Sequence, residues 1–179
     1  MKKIWFLLFA AFSVSAGAQT KDDLSTVNGI IGAFYSCLDV QRGDQIDSAR
    51  FMNLFNSGAQ LDGIVPSRKD TSKTVTFRIS PEQYLQGMKV FTAAHRFREW
   101  EIGRQTLSYG HMTTVYSAYE LMDVSEKGDT VKVRGVNTFS LFYDGTRYRI
   151  TYCNYEEESK QFPIPEGYLR KEKPVNKKR

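Results

Sequence analysis

The sequence has few of the residues that build metal and redox sites, with two cysteines and two histidines among 179 residues. No Cys/His cluster has the spacing of zinc ligands, and no motif indicates a bound cofactor. Past the first segment of the chain, no apolar run approaches the roughly 20 residues that a membrane-spanning helix needs. We therefore predict no metal site, no cofactor and no transmembrane segment.

The body of the chain also lacks an excess of positive charge. The formal net charge is +5, but Lys2 and Lys3 lie at the start, and residues 170–179 hold six basic residues against one acidic residue. The residues between these ends therefore carry about −2. A nucleic-acid-binding domain clusters Lys and Arg on its folded surface. We predict no nucleic-acid partner, and a disordered basic tail over residues 170–179.

The first 18 residues have the three parts of a secretory signal peptide. Lys2 and Lys3 precede an apolar run over residues 4–12, and small residues follow at positions 16 and 18. This pattern predicts a signal peptide over residues 1–18, removed after Ala18. We expect an exported protein, periplasmic or secreted.

Two cysteines remain after the predicted cleavage, Cys37 and Cys153. Export permits a disulfide bond. The sequence leaves two alternatives open, a bridge between them or two small buried thiols, because their separation in space is not readable from spacing alone.

The remaining residues 19–169 form one domain by length. Apolar spacing predicts a helix over residues 23–40, a short helix after Asp47, and a third helix that Ser80 caps. Strands are predicted over residues 59–65 and 74–79, followed by four long alternating strands over residues 97–109, 111–124, 130–143 and 147–155. This order predicts the α+β class.

Three segments of the C-terminal half carry a resemblance to a known family. They are YGHMTTVYSAYE (residues 109–120), RGVNTFSLFYDGTRYRI (residues 134–150) and FPIPEGYL (residues 162–169). With the element order, they resemble a SnoaL-like bacterial branch of the nuclear transport factor 2-like superfamily. That branch usually has Trp where Tyr148 stands and His where Thr114 stands.

The resemblance implies a cone, in which a curved antiparallel sheet wraps around three N-terminal helices and encloses a pocket. It also implies a homodimer formed through the outer face of the sheet. The outer face of the second long strand carries Tyr116, Ala118 and Met122, which is unusually apolar for a surface exposed to water. We expect these residues near the centre of a dimer interface.

Alternation along the strands places several polar side chains on the apolar side of the sheet. Ser117, Tyr119, Asn137 and Tyr152 are therefore predicted to line one pocket that binds a small, mostly apolar molecule. Asn137 needs hydrogen-bond partners there, either from the backbone across the sheet or from a pocket into which it points.

An enzyme is the alternative hypothesis, since the superfamily includes isomerases and lyases as well as binding modules. Asp62 is the candidate base for an apolar ring compound, His95 is a second candidate, and Tyr119 and Tyr152 are candidate donors. The competing interpretations are that Asp62 shapes a turn and that His95 is a hinge residue. Glu99 and Glu101 are interpreted as charge partners of neighbouring arginines. A third possibility is a structural protein whose cone is filled by its own aromatic side chains.

Overall fold

The computed structural model describes residues 23–67, 70 and 73–169. The predicted signal peptide, residues 1–18, and the basic tail, residues 170–179, lie outside the described residues. None of the helices within the described ranges combines the length and apolar character of a membrane span. The elements are α1 Val27–Cys37, β1 Asp39–Val40, α2 Ser48–Met52, β2 Phe55–Pro66, β3 Thr74–Ile79, α3 Pro81–Thr92, β4 Arg96–Tyr109, β5 Met112–Val124, β6 Thr130–Tyr143, β7 Tyr148–Glu157 and the 3₁₀ helix η1 Glu166–Leu169.

Each α-helix begins at a side-chain cap that the local sequence supplies. Ser80 caps α3 in a reciprocal capping box with Gln83, and Asp47 caps α2. Helix α1 is shorter than predicted, because its cap is Thr26, which accepts a hydrogen bond from the backbone N–H of Gly29.

The strands form one curved sheet in the order β1-β4-β5-β6-β7-β2-β3. Strands β4 to β7 form the expected antiparallel meander, because short turns connect them. The prediction of a wholly antiparallel sheet is wrong, since β2 runs parallel to β7. These two strands are distant in sequence, so no hairpin sets their relative direction.

Two β-bulges change which side chains face the inside of the sheet. In β4 the register shifts between Glu101 and Gly103, so Ile102 is an extra residue. In β7 the register shifts opposite Ser140 and Leu141, and Thr151 is the extra residue. Each bulge reverses the alternation beyond it, because one residue without a partner moves every later side chain to the other face.

The narrow end of the cone is filled by apolar side chains of α1, α2 and the inner sheet face. Phe34 packs edge-on against Phe139 with ring centroids 4.9 Å apart, and Phe51 and Phe55 pack at the same separation. Burial of each such side chain contributes roughly 1.5–3 kcal/mol. Cys37 and Cys153 are both buried in this region.

The outer, convex face of the sheet is covered at its centre by residues 159–169, which we call the C-terminal strap. Tyr168 of the strap packs on Tyr116 with ring centroids 5.5 Å apart. A Cβ atom on Gly103 would lie 2.3 Å from the backbone oxygen of Tyr168, so only glycine fits there. Ala118, the partner of Gly103 in the sheet, has no solvent exposure. The apolar residues Tyr116 and Ala118, from which a dimer interface was expected, are therefore covered by the strap of the same chain.

Candidate functional site

Strand β4 carries a buried ion pair on the inner face of the sheet. The guanidinium of Arg104 donates to both carboxylate oxygens of Glu101, at 2.8 and 2.5 Å, and to Oδ1 of Asn28 at 2.9 Å. Glu101 and Arg104 share a face only because Ile102 is bulged out between them. Arg104 is 8% exposed and the Glu101 side chain is half-buried, so water reaches the pair only from the side of Glu101.

A chain of hydrogen bonds runs from this ion pair across the sheet, and its direction can be assigned. The Ser117 hydroxyl donates to Glu101 Oε1 at 2.6 Å, because an ionised carboxylate only accepts. The Tyr35 hydroxyl, 2.8 Å from Ser117 Oγ, must then be the donor of that pair. Asn137 Nδ2 donates to the Tyr35 oxygen at 3.1 Å. Asn137 thus donates to a side chain of α1, and not to the backbone across the sheet, which was one of the two alternatives that the sequence left open.

Glu99 receives the other donor bond of Asn137. The distance from Asn137 Nδ2 to Glu99 Oε1 is 2.8 Å. Glu99 has no ion-pair partner within the described part of the chain, and no hydrogen bond there reaches its second oxygen. Burial raises its pKa from 4.5 to about 7, although the bond from Asn137 acts in the opposite direction.

The charge of Glu99 acts on three tyrosines. Burial, and then the charge of Glu99, raise the pKa values of Tyr84 and Tyr119. Burial, Glu157 and Glu99 together raise the pKa of Tyr155 to about 12. Among the residues that the structure describes, none of the three hydroxyl groups has a hydrogen-bond partner.

Inward-facing side chains differ in exposure along the sheet. Ser117 and Phe139, deeper in the cone, have no solvent exposure. Several inward-facing side chains near Glu99 are instead half-buried, and an inward side chain keeps exposure only where the cone is not filled. These half-buried residues are Ile79, Tyr84, Met88, Phe91, Leu121 and Tyr155.

The structure brings together three of the predicted site residues and separates the others. Ser117, Tyr119 and Asn137 lie on the inner face, as expected. Tyr152 lies on the convex face, because the bulge at Thr151 reverses the alternation of β7. Asp62 lies on the same face, since it pairs with Asn154 between the inward residues Leu61 and Gly63 of β2. The four residues predicted to line one pocket, Ser117, Tyr119, Asn137 and Tyr152, therefore do not share a face.

Asp62 is held in an ion pair on the convex face. Nε and Nη2 of Arg78 each donate to its carboxylate at 2.8 Å, and the Tyr152 hydroxyl donates to it as well. The bonds from Arg78, followed by that from Tyr152, lower the pKa of Asp62 to about 2. A carboxylate stabilised in this way is a weak base.

His95 lies between α3 and β4, and contacts Asp123 and Phe91. Its Nδ1 is 2.6 Å from Oδ1 of Asp123, and its ring stacks on Phe91 with centroids 4.3 Å apart. The described residues contain no group of His, Cys, Asp and Glu side chains suited to a metal ion.

Glu99 is the residue that sequence reasoning missed, because it was assigned to charge pairing. The sequence did hold a clue, since Glu99 is two residues after Phe97, and residues two apart in a strand face the same side. Phe97 is buried on the inner side of β4. That alternation predicts an inward carboxyl group. The bonds from Tyr35 had no comparable signal, since α1 reaches them only through tertiary packing.

No protein-family model matches the sequence, and no curated protein matches it. Solved structures do match. The beta subunit of an aromatic-ring-hydroxylating dioxygenase from Novosphingobium aromaticivorans aligns with a TM-score of 0.55 and 15% identity, over 74% of this chain and 87% of that one. A nuclear transport factor 2-like superfamily protein from Salmonella enterica serovar Typhimurium aligns with a TM-score of 0.52 and 13% identity, over 79% of this chain and 92% of that one. The chain has the nuclear transport factor 2-like fold. The Kfla4162 protein from Kribbella flavida also aligns, with a TM-score of 0.55 and 10% identity, over 73% of this chain and 86% of that one. At these identities the likeness establishes the fold of a cone-type domain and leaves its ligand undetermined.

Proposed function

We propose that the wide end of the cone binds a small, mostly apolar molecule. The observation that supports this is the group of polar atoms around Glu99 without protein partners. They are the hydroxyls of Tyr84, Tyr119 and Tyr155 and one oxygen of Glu99, within the described residues. Half-buried apolar side chains surround them, which is the usual composition of a ligand site.

A ligand that enters the cone must form hydrogen bonds with the polar groups that it covers. Each donor or acceptor buried without a partner costs about 1–3 kcal/mol. Tyr119 is only 2% exposed as a whole residue, and its hydroxyl keeps contact with solvent that a bound ligand would replace. A ligand with matching polar atoms would supply the missing hydrogen bonds, and its apolar body would cover Met88 and Leu121.

The binding proposal is tested by comparing tyrosines on the two faces of the sheet. Small neutral hydroxylated and ketonic ring compounds are titrated into the wild type and observed by NMR. Tyr155→Phe should weaken binding of any hit about tenfold, the effect of one lost hydrogen bond of about 1.4 kcal/mol. Tyr152→Phe, on the convex face, is the matched control. Equal effects of both changes would contradict a site in the cone.

The second candidate is a lyase or isomerase that acts on a small apolar ring compound. The specific observation is the pKa of about 7 for Glu99, which suits a group that both takes and returns a proton near neutrality. Glu99 replaces Asp62 as the base in this hypothesis. If turnover of a ketonic ring compound is found, Glu99→Gln should abolish it with affinity retained, whereas Asp62→Asn should preserve it. The reverse pattern would restore Asp62 as the base.

We further propose that the chain is exported after cleavage behind Ala18. The supporting pattern is the charged, apolar and small-residue sequence of residues 1–18. Intact-mass measurement of material from outside the cytoplasm should place Gln19 at the N-terminus. Recovery there of a chain that retains Met1 would contradict this route.

A homodimer through the convex face is also proposed, with its contact beyond the strap. Leu107, Tyr109 and Met112 are 68%, 82% and 62% exposed at the end of the β4–β5 hairpin. Such a patch favours association. Light scattering should give twice the monomer mass, and Leu107→Lys should reduce it. A wild type that is monomeric at high concentration would overturn the dimer.

A further inference from the structure

The middle of the hydrogen-bonded chain on the inner sheet face is closed to water. Ser117 has no solvent exposure, Asn137 is 3% exposed and Tyr35 is 7% exposed. Water is therefore a poor substitute for a hydrogen bond that one of these side chains loses. The direction in which each donor points is set by its neighbours in the chain of bonds.

Helix α1 contacts this chain of bonds at two points. Asn28 accepts from Arg104 at 2.9 Å, and the Tyr35 hydroxyl lies 2.8 Å from Ser117 Oγ. Asn28 and Tyr35 are seven residues apart, about two helical turns, so they lie on the same face of α1. The Tyr35 hydroxyl is thereby placed between Ser117 of β5 and Asn137 of β6.

The ionised carboxylate of Glu101 sets the direction of the bonds that lead away from it. Glu101 accepts from Ser117, so the Tyr35 hydrogen points to Ser117 and away from Asn137. On the side of Asn137, the Tyr35 oxygen is therefore an acceptor. The Asn137 amide turns its Nδ2 to this oxygen at 3.1 Å, and the same nitrogen donates to Glu99 Oε1 at 2.8 Å.

The opposite orientation of the Asn137 amide would have the opposite effect on Glu99. A half-turn would place Oδ1 where Nδ2 now lies. That oxygen accepts a hydrogen bond from a protonated carboxyl group and repels a carboxylate. Tyr35 disfavours the half-turn, because its hydrogen is committed to Ser117 and two accepting oxygens would then face each other.

We infer that Tyr35 and Ser117 are positioning residues of the site in the cone, which fix the amide of Asn137 and through it hold Glu99 as a hydrogen-bond acceptor. This inference rests on the proposed function and adds what controls the site. The second oxygen of Glu99, which has no hydrogen bond within the described residues, is then an acceptor for an N–H or O–H group of the bound molecule. In the catalytic hypothesis, the same two residues favour the form of Glu99 that takes up a proton.

The test is a pH titration of the Glu99 carboxyl carbon, observed by NMR in the full chain without ligand. The pKa of Glu99 is about 7 in the wild type. Tyr35→Phe and Ser117→Ala each free the Asn137 amide to turn and to stabilise the protonated carboxyl group. In both variants the ionisation constant should fall about tenfold, the size expected for one hydrogen bond, which moves the midpoint about one pH unit higher. Midpoints equal to that of the wild type would overturn the inference.

Thr113→Val is the matched control. Thr113 is 3% exposed on the inner face of β5, and its hydroxyl shares a hydrogen bond with Ser108, outside the chain of bonds to Glu99. This change should leave the titration of Glu99 unaltered. A shift as large as that of Tyr35→Phe would mean that loss of any buried hydroxyl acts on Glu99, and the inference would fail. The other titratable groups on which the charge of Glu99 acts are Tyr84, Tyr119, Cys153 and Tyr155, all of which these variants retain.

A double variant tests the route through Asn137. In an Asn137→Ala background, Tyr35→Phe should leave the titration of Glu99 unchanged, because the amide that transmits the effect is gone. An undiminished shift would show that Tyr35 acts on Glu99 directly and would also overturn the inference. Should Asn137→Ala fail to fold, the comparison of Tyr35→Phe with Thr113→Val decides. These titrations need no ligand, so a failure to bind ring compounds would overturn the proposed function and leave the role of Tyr35 standing.

Discussion

Two carboxyl groups of the same sheet, Glu99 in the cone and Asp62 on the convex face, are shifted in opposite directions. Tyrosine side chains lie beside both. The pKa of Glu99 is raised to about 7 by burial, and that of Asp62 is lowered to about 2 by its bonds to Arg78 and Tyr152. The difference lies in the cation, since Arg78 reaches Asp62 while Arg104 is committed to Glu101.

The fold gives these two carboxyl groups different partners and different exposure. A carboxylate with a guanidinium partner and solvent nearby remains ionised and serves structure. A buried carboxyl with one amide donor changes its protonation near neutral pH, which suits ligand binding or proton transfer.

The largest expected effect is on stability and breaks the buried ion pair. Arg104→Met leaves Glu101 without its cation and should lower the free energy of unfolding by about 3–5 kcal/mol. Arg78→Met is the matched control on the convex face, where the Arg78 side chain is 65% exposed. It should cost much less, because solvent screens an exposed pair. Urea unfolding at pH 7 measures the free energy of unfolding of both variants. A similar loss of stability in the two would contradict a difference between the inner and the convex ion pair.

The next prediction concerns the pH dependence that Glu99 imposes. Its folded pKa is raised, so its contribution to stability is full below about pH 4.5 and is lost as the pH rises through about 7. Glu99→Gln removes this loss, so the variant should gain on the wild type by about 2 kcal/mol between pH 5 and 8. Urea unfolding across this range provides the test. A constant difference would mean that Glu99 titrates normally.

Asp62 should show the opposite sign. Its folded pKa of about 2 lies below the ordinary value of 3.8, so it stabilises the fold above that value and loses the effect as the pH falls through about 2. Asp62→Asn should therefore be less stable than the wild type at pH 7, and the difference should shrink in acid. Thermal unfolding at pH 7 and pH 2.5 compares them. A difference that grows in acid would exclude the ion pair as the cause.

The smallest effect is local and concerns the strap on the convex face. Gly103→Ala places a Cβ against the backbone of Tyr168 and Leu169, so the strap must move while the cone stays folded. Hydrogen exchange of residues 166–169 should become faster, with the Glu99 region unchanged. Gly87→Ala in α3 meets no atom within 4 Å and is the control. Unchanged exchange in Gly103→Ala would show that the strap is not held there.

Much of the fold could be predicted from local patterns. The capping box of Ser80 and Gln83, the bounds of β3 and the meander of β4 to β7 follow from residue type and alternation. Strict alternation along β5 and β6 also predicted that Ser117, Tyr119 and Asn137 lie on the inner face, with Val115 and Phe139. These features depend on neighbours in sequence, which is why the sequence alone determines them.

The tertiary structure alone decided the composition of the site. The bulge at Thr151 moved Tyr152 to the convex face, and the bulge at Ile102 brought Glu101 and Arg104 together. A bulge is set by pairing with a distant strand, so alternation read along one strand cannot reveal it. For the same reason, the lack of an ion-pair partner for Glu99 among residues 23–67, 70 and 73–169 emerges only once β4 is folded against α1 and the rest of the sheet.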